Sequence, residues 1–229
     1  MVSLINFNLY SIGLVAAIKA KNAEMCLHFA KQLIMSQYYN QRAMALVSQF
    51  AKMLMTINVN RKGYNRKLHL VITKALYQHG DSLPLRQLAS QVLTNLSHYL
   101  AALNQQLYIF SNDSSRPSTL LYMGMLSILI GLQEKRNSHD ITNVYLFQGM
   151  SYFHAYSIKT NHSDYALYNL AKAYHLIGLY GDATRYYNKV LSYPNGSKLI
   201  ENAAFNLSLI YSKTSPLLAR EVTMKYLSV

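Results

Sequence analysis

The stretch Tyr165–Pro194 reads YALYNLAKAYHLIGLYGDATRYYNKVLSYP. Tyr168, Leu170, Ala171 and Tyr174 fall on one face of a first helix, and Gly178 interrupts it. Ala183, Tyr187, Val190 and Leu191 form the apolar face of a second, which Pro194 closes. Apolar residues at i, i+3, i+4 and i+7, broken only by Gly and Pro, predict one helical hairpin. Ala171 and Ala183 are small, so the two backbones can cross closely. The pattern then returns: Phe205-Asn206-Leu207-Ser208-Leu209-Ile210-Tyr211 repeats Tyr168-Asn169-Leu170-Ala171-Lys172-Ala173-Tyr174 at an offset of 37 residues. Ala219 answers Ala183 at an offset of 36, so the second turn is one residue shorter. There Ser215-Pro216 stands in place of Gly178-Leu179, and a proline can open a helix because the missing N–H would have no partner in the first turn.

Leu170-Ala171, Tyr174, Gly178, Ala183, Tyr187 and Pro194, with Leu207, Ser208, Tyr211 and Ala219 in the second copy, resemble the signature of the tetratricopeptide repeat (TPR). The resemblance implies an all-α fold of stacked helical hairpins, a solenoid coiled as a right-handed superhelix. Read this way, residues 1–229 form a single TPR-like solenoid. Its repeats are degenerate over 1–144 and best formed over 145–229, clearest at 165–194 and 202–228.

Composition agrees. Among 229 residues there are only 9 Gly and 4 Pro, with 20 Tyr, 10 Met and no Trp, which suits a helical chain better than a sheet protein rich in turns. Cys26 is the single cysteine, so no disulfide framework or paired-cysteine metal site can form within the chain, and its apolar surroundings make it a core residue. Five Asn-x-Ser matches, at Asn95, Asn112, Asn161, Asn195 and Asn206, are read as chance in a chain rich in both residues. The formal charge of +13 suits nucleic acid or an acidic protein partner. The 22 Lys and Arg are spread along the chain, however, as on solvated helix faces. Met1–Ile18 has no basic residues ahead of it and no small-x-small cleavage site, so no signal peptide is expected. The apolar run Leu120–Leu132 is shorter than the roughly 20 residues a membrane span needs.

Along the chain, helices are expected near 3–19, 23–38, 40–56, 65–79, from Asp81 or Ser82 to about 96, 101–110, 118–133 and 141–159. Those of the two clear repeats and a closing helix at 216–228 follow, giving about twelve helices in six hairpins. Asn22 is placed to cap the second helix, and Asp81 or Ser82 the one that holds Pro84 in its first turn. The segment Asn58–Gly63 is expected as a loop. It opens the densest basic cluster, Arg61, Lys62, Arg66, Lys67 and His69, in which Arg61, Lys62, Arg66 and Lys67 are candidate phosphate contacts. Polar loops are expected at 112–117 and 134–140.

Catalytic chemistry finds no foothold. The eight His are scattered without metal-ligand spacing, the nine acidic residues are far apart, and no nucleophile-elbow or phosphate-loop motif occurs. The expectation is a non-enzyme without cofactor, metal or small-molecule substrate.

TPR arrays hold partners along a groove lined by the first helix of each hairpin. Here that surface would include Tyr168, Lys172 and His175, then Phe205, Leu209 and Ser212. Of the Lys/Asn/Arg carboxylate clamp found in chaperone-binding TPR proteins only Lys172 is present, with Leu209 in the next slot, which speaks against a chaperone cofactor. A narrower resemblance rests on Tyr168-Asn169-Leu170-Ala171, His175-Leu176-Ile177-Gly178-Leu179, Tyr186-Tyr187-Asn188-Lys189-Val190-Leu191 and Ala203 to Tyr211. It extends to Ala219–Val229 and, upstream, to Phe147-Gln148-Gly149-Met150-Ser151-Tyr152-Phe153. Together these resemble the last repeats of the TPR subunit of transcription factor IIIC (TFIIIC), specifically from about Tyr145 and loosely before it. The resemblance implies a nuclear scaffold that binds TFIIIC and TFIIIB subunits for RNA polymerase III transcription, with DNA engaged mainly through other subunits. The family protein is several times longer, with an acidic N-terminal region and an N-terminal TPR arm, so this chain is read as its C-terminal array. An adaptor of another assembly and a basic nucleic-acid-binding repeat protein are the alternatives.

Overall fold

The computed structural model describes residues 2–35, 41–56, 61–134, 139–194 and 196–227. The described residues form twelve α-helices and no strand: α1 Val2–Lys19, α2 Ala23–Met35, α3 Gln41–Thr56, α4 Arg61–Gln78, α5 Leu83–Asn95, α6 Tyr99–Asn112, α7 Pro117–Glu134, α8 His139–Lys159, α9 Asp164–Ile177, α10 Tyr180–Leu191, α11 Ile200–Thr214 and α12 Pro216–Tyr226. The chain divides into two compact units, 1–114 and 115–229.

In the first unit α3 packs against both α1 and α5, while α2 lies against α4. That is the pattern of hairpins stacked in sequence. The core joins Leu14, Cys26, Leu33, Phe50, Leu54, Leu68, Ile72 and Leu85, all fully buried. Burial pushes the Cys26 thiol up to about 11, so at neutral pH it is a protonated core side chain rather than a nucleophile. Asn22 caps α2 as expected, its Oδ1 accepting from the Met25 N–H at 3.1 Å. Polar side chains also bridge the helices. Gln91 of α5 donates to the Ser48 carbonyl at 3.2 Å, and Asn95 donates to the Ala51 carbonyl at 3.0 Å and to Asn65 Oδ1 at 3.1 Å.

Three local expectations change. Arg61, Lys62 and Gly63 belong to α4 rather than to a loop, because Leu68, Ile72 and Ala75 bury one face of the helix and outweigh the about 1 kcal/mol cost of a helical glycine; residues 57–60 lie outside the described segments. Ser82 is the N-cap of α5 by position but makes no capping hydrogen bond, while Asp81 accepts from the Tyr108 hydroxyl at 2.9 Å. Glu134, His139 and Asp140 are helical, and the rest of the expected 134–140 loop lies outside the described residues.

The second unit is built from the hairpins α7–α8, α9–α10 and α11–α12. Helices α7 and α8 approach closely, through glycines. A Cβ built on Gly149 would stand 3.0 Å from the Gly124 carbonyl oxygen and 2.8 Å from an Ile128 side-chain carbon. Reciprocally, a Cβ on Gly124 would stand 3.1 Å from the Gly149 oxygen. Ile128 and Phe153 then meet Leu170 and Ala173, which seats α9 on that pair.

Gly149→Ala is expected to destabilise the unit by about 1–3 kcal/mol, because backbone sits on both sides of the contact. Gly181 of α10 faces open space, so Gly181→Ala should be neutral or stabilise by up to about 1 kcal/mol. Urea unfolding followed by circular dichroism compares the two; equal effects would discount the α7–α8 contact.

Candidate functional site

The site rests on the α9–α10 hairpin. Ser163 caps α9 by accepting from the Ala166 N–H at 3.3 Å, and Asp164 adds negative charge to the first turn. The helix ends at Gly178, whose φ of +88° lies in the left-handed region, and the Leu179 N–H reaches back to the Tyr174 carbonyl at 2.9 Å. Ala171 and Ala183 are fully buried where the helices cross. Tyr187 fills the space beside them. Its ring lies 6.1 Å from those of Tyr168 and His175, and its hydroxyl is 3.5 Å from His175 Nδ1.

That hairpin orders the expected groove residues. Asn206 of α11 donates to the Tyr168 hydroxyl at 3.0 Å, which ties the first helices of consecutive hairpins together. Lys172 is exposed, its ammonium 5.8 Å from the Tyr168 ring. On α11, Phe205 and Leu209 are 55% and 44% exposed and lie four residues apart on one face, with Ser212 a turn further on. The Ser212 hydroxyl donates to the Leu209 carbonyl at 2.8 Å, so it faces its own helix. Tyr168 and His175 are half-buried and serve hairpin packing as well as lining. Burial lowers the His175 pKa and the nearby Lys213 lowers it further, so His175 is neutral near pH 7.

Sequence periodicity did not single out Lys213 or Asn206 for this face. Asn206 repeats Asn169 at the offset of 37 residues, a signal available in the chain but masked by its Asn-x-Ser match. The second repeat is looser than the first. Ser208 stands in the Ala171 slot and is half-buried, its hydroxyl donating to the Phe205 carbonyl at 2.8 Å. Ala219 is also only half-buried, because α12 packs on α11 without a fully buried residue. Leu207 is fully buried, Tyr211 half-buried, and Pro194 exposed just after α10.

The basic cluster lies in the first unit, on α4. Lys62, Arg66 and Lys67 are exposed and Arg61 is the first residue of the helix. Lys74 is exposed with them, as are Leu70 and a 95% exposed Tyr77. His69 drops out of the cluster. It is half-buried, and burial with the neighbouring His98 lowers its pKa.

Among the described residues no group of three or more His, Cys, Asp or Glu is placed to hold a metal ion, and no helix is long and apolar enough to cross a membrane.

No protein-family model matches the chain. It is 32% identical over 138 residues to the transcription factor tau 131 kDa subunit of Saccharomyces cerevisiae, a match covering 57% of this chain and 13% of that protein. It is 28% identical over 162 residues to the transcription factor tau subunit sfc4 of Schizosaccharomyces pombe, covering 61% of this chain and 16% of that protein. The chain is a sequence relative of the transcription factor tau subunits. The resemblance to the TPR subunit of TFIIIC is thereby borne out, and the matched region spans 13–16% of the length of these relatives. Among solved structures, a thermophilic TPR protein of Thermus thermophilus superposes with a TM-score of 0.56 at 13% identity, over 79% of this chain and 90% of that one. The all-α TPR fold expected from the hairpin signature is therefore the fold observed.

Burial raises the Tyr187 pKa well above its usual value near 10. The folded form thus resists ionisation, and the stability that Tyr187 confers is full below about pH 10 and lost as pH rises beyond it. Tyr187→Phe should retain the fold at neutral pH and reduce the alkaline loss. Tyr187→Ala should cost about 3–5 kcal/mol. Unfolding curves at pH 7 and pH 11 separate the two; an unchanged alkaline slope in Tyr187→Phe would count against this account.

Proposed function

We propose that this chain is a non-catalytic protein-interaction scaffold of a TFIIIC-type assembly, acting in the nucleus in RNA polymerase III transcription. The observation that carries the reading is the sequence relationship to two transcription factor tau subunits. The exposed row of first helices supports it: Lys172 on α9 and Phe205 and Leu209 on α11 offer one cation and two large apolar side chains on hairpins held rigid by buried Ala171, Ala183 and Tyr187. Anchors of this kind carry most of the affinity at protein interfaces. The partners on this reading are TFIIIC subunits and, through them or directly, TFIIIB subunits. The test is affinity purification of the tagged chain from its own cells with mass spectrometry of the eluate. TFIIIC or TFIIIB subunits are expected with the native chain and are expected to fall by about tenfold or more when Lys172, Phe205 and Leu209 are changed to Ala. An eluate without any polymerase III factor would leave a TPR adaptor of some other assembly.

A second reading rests on charge. Between Glu24 and Asp81 the chain holds eight Lys and Arg and no carboxylate, and four of these, Lys62, Arg66, Lys67 and Lys74, are exposed on α4. We propose Arg61, Lys62, Arg66 and Lys67 as contacts to nucleic-acid phosphates. Affinity for a labelled duplex should then fall steeply with salt, with a log–log slope reduced by about 0.9 for each phosphate contact removed by Ala substitution. No binding at low salt would end this reading.

A further inference from the structure

The two outer hairpin helices α8 and α10 both pack on α9 and leave a cleft between them. It runs along the second helices of consecutive hairpins, whereas the candidate groove residues sit on the first helices α9 and α11. Leu167 and Leu170 lie almost fully buried beneath it, and its accessible apolar surface comes from the half-buried Tyr186 and Tyr193 and the exposed Pro194. One end is built from aromatic rings. Tyr174 and Tyr186 stack 5.5 Å apart and nearly parallel, and the His154 ring meets both edge-on at 6.2 and 6.5 Å. His154 Nε2 is 3.0 Å from the Tyr174 hydroxyl, so the imidazole is held in place.

The other end is set by the turn that closes α8. Asn161 and His162 are consecutive residues in the left-handed region, with φ of 50° and 52°. Their conformation brings the His162 N–H back to the Ser157 carbonyl at 2.8 Å and its Nδ1 to the Ser157 hydroxyl at 2.9 Å. In the tautomer in which the Ser157 hydroxyl donates to Nδ1, Nε2 is the N–H donor of the ring. Lys189 of α10 contributes an ammonium 5.1 Å from the Tyr186 ring. The cleft is therefore lined by two imidazoles and one ammonium beside an apolar wall, and no carboxylate is among the described residues that line it.

We propose that this cleft docks an acidic peptide segment of a protein partner. A Glu or Asp carboxylate would sit among His154, His162 and Lys189, while a neighbouring aliphatic or aromatic side chain covers Tyr186, Tyr193 and Pro194. The charge complementarity selects the carboxylate. The exposed apolar wall of Tyr186, Tyr193 and Pro194 selects a peptide over a nucleic-acid backbone, whose phosphates would leave that surface in water. The net charge of +13 favours the encounter, but the arrangement of donors in the cleft sets where the peptide settles.

The test is fluorescence anisotropy with the full 229-residue chain and a labelled peptide of alternating Glu and Leu. An all-Glu peptide of equal length and inorganic phosphate serve as comparison probes. The Glu/Leu peptide is expected to saturate the chain at concentrations below about 1 mM and to bind about tenfold tighter than the all-Glu peptide. Lys189→Glu, and His162→Asn, chosen because asparagine also tolerates the left-handed conformation, should each weaken it by about fivefold or more. Both side chains are exposed, and circular dichroism of each variant confirms that the fold is retained. Lys172→Ala on the groove face should leave binding unchanged. The proposal is overturned if no saturation occurs, if Lys189→Glu binds like the native chain, or if Lys172→Ala weakens binding as much as Lys189→Glu. Equal affinity for the all-Glu peptide, or displacement by phosphate at millimolar concentration, would likewise reduce the interaction to general charge attraction.

Discussion

Two helices joined by a short turn can bury only the sides that face each other, so each hairpin leaves apolar surface that the next must cover. The whole second unit depends on this constraint. Ala171 and Ala183 let α9 and α10 cross closely, and Tyr187 fills the volume beside them. The result is a rigid wedge whose remaining faces receive α8 on one side and α11 on the other. The α7–α8 pair solves the same problem with glycine, letting backbone touch backbone where the α9–α10 pair uses alanine.

Placing a bulky phenol at the centre of such a wedge has a consequence for its polar tip. A buried tyrosine hydroxyl must find a partner, and here the nearest is His175, which burial and Lys213 keep neutral. Tyr168 meets the same demand by accepting from Asn206 of the next hairpin. Polar groups thus couple neighbouring hairpins in register, a job that apolar packing alone performs less selectively. The first unit uses the same device with amides, through Gln91 and Asn95 reaching across to α3 and α4.

Once the hairpins are stacked, their outer surfaces are free to differ. The first helices of the second unit carry Lys172, Phe205 and Leu209, and its second helices frame a cleft with imidazole and ammonium donors. In the first unit α4 turns a carboxylate-free basic face to solvent. A repeat scaffold of this kind keeps its function in side chains that the packing does not use, which is why fold and partner choice can vary independently.

The hairpin signature was legible because it is local. Helical spacing of apolar residues, the glycine at Gly178, the two alanines and the return of the motif 37 residues later follow from contacts within one or two turns of chain, and they determined the fold class, the helix order and the family resemblance. The exposure of Lys172, Phe205 and Leu209 was legible in the same way, since the position of each on its helix follows from register alone. Contacts between helices decided the rest. Register could not tell that Gly124 and Gly149 meet, that Gly63 sits inside a helix, that Ser82 forgoes its cap, or that His69 turns inward while Tyr77 faces water. Nor could it bring His154, His162 and Lys189 to one cleft, because they come from two helices and a turn that are brought together by packing on α9. Such proximity depends on which helix surfaces pack and how tightly, and that is a property of the tertiary structure alone.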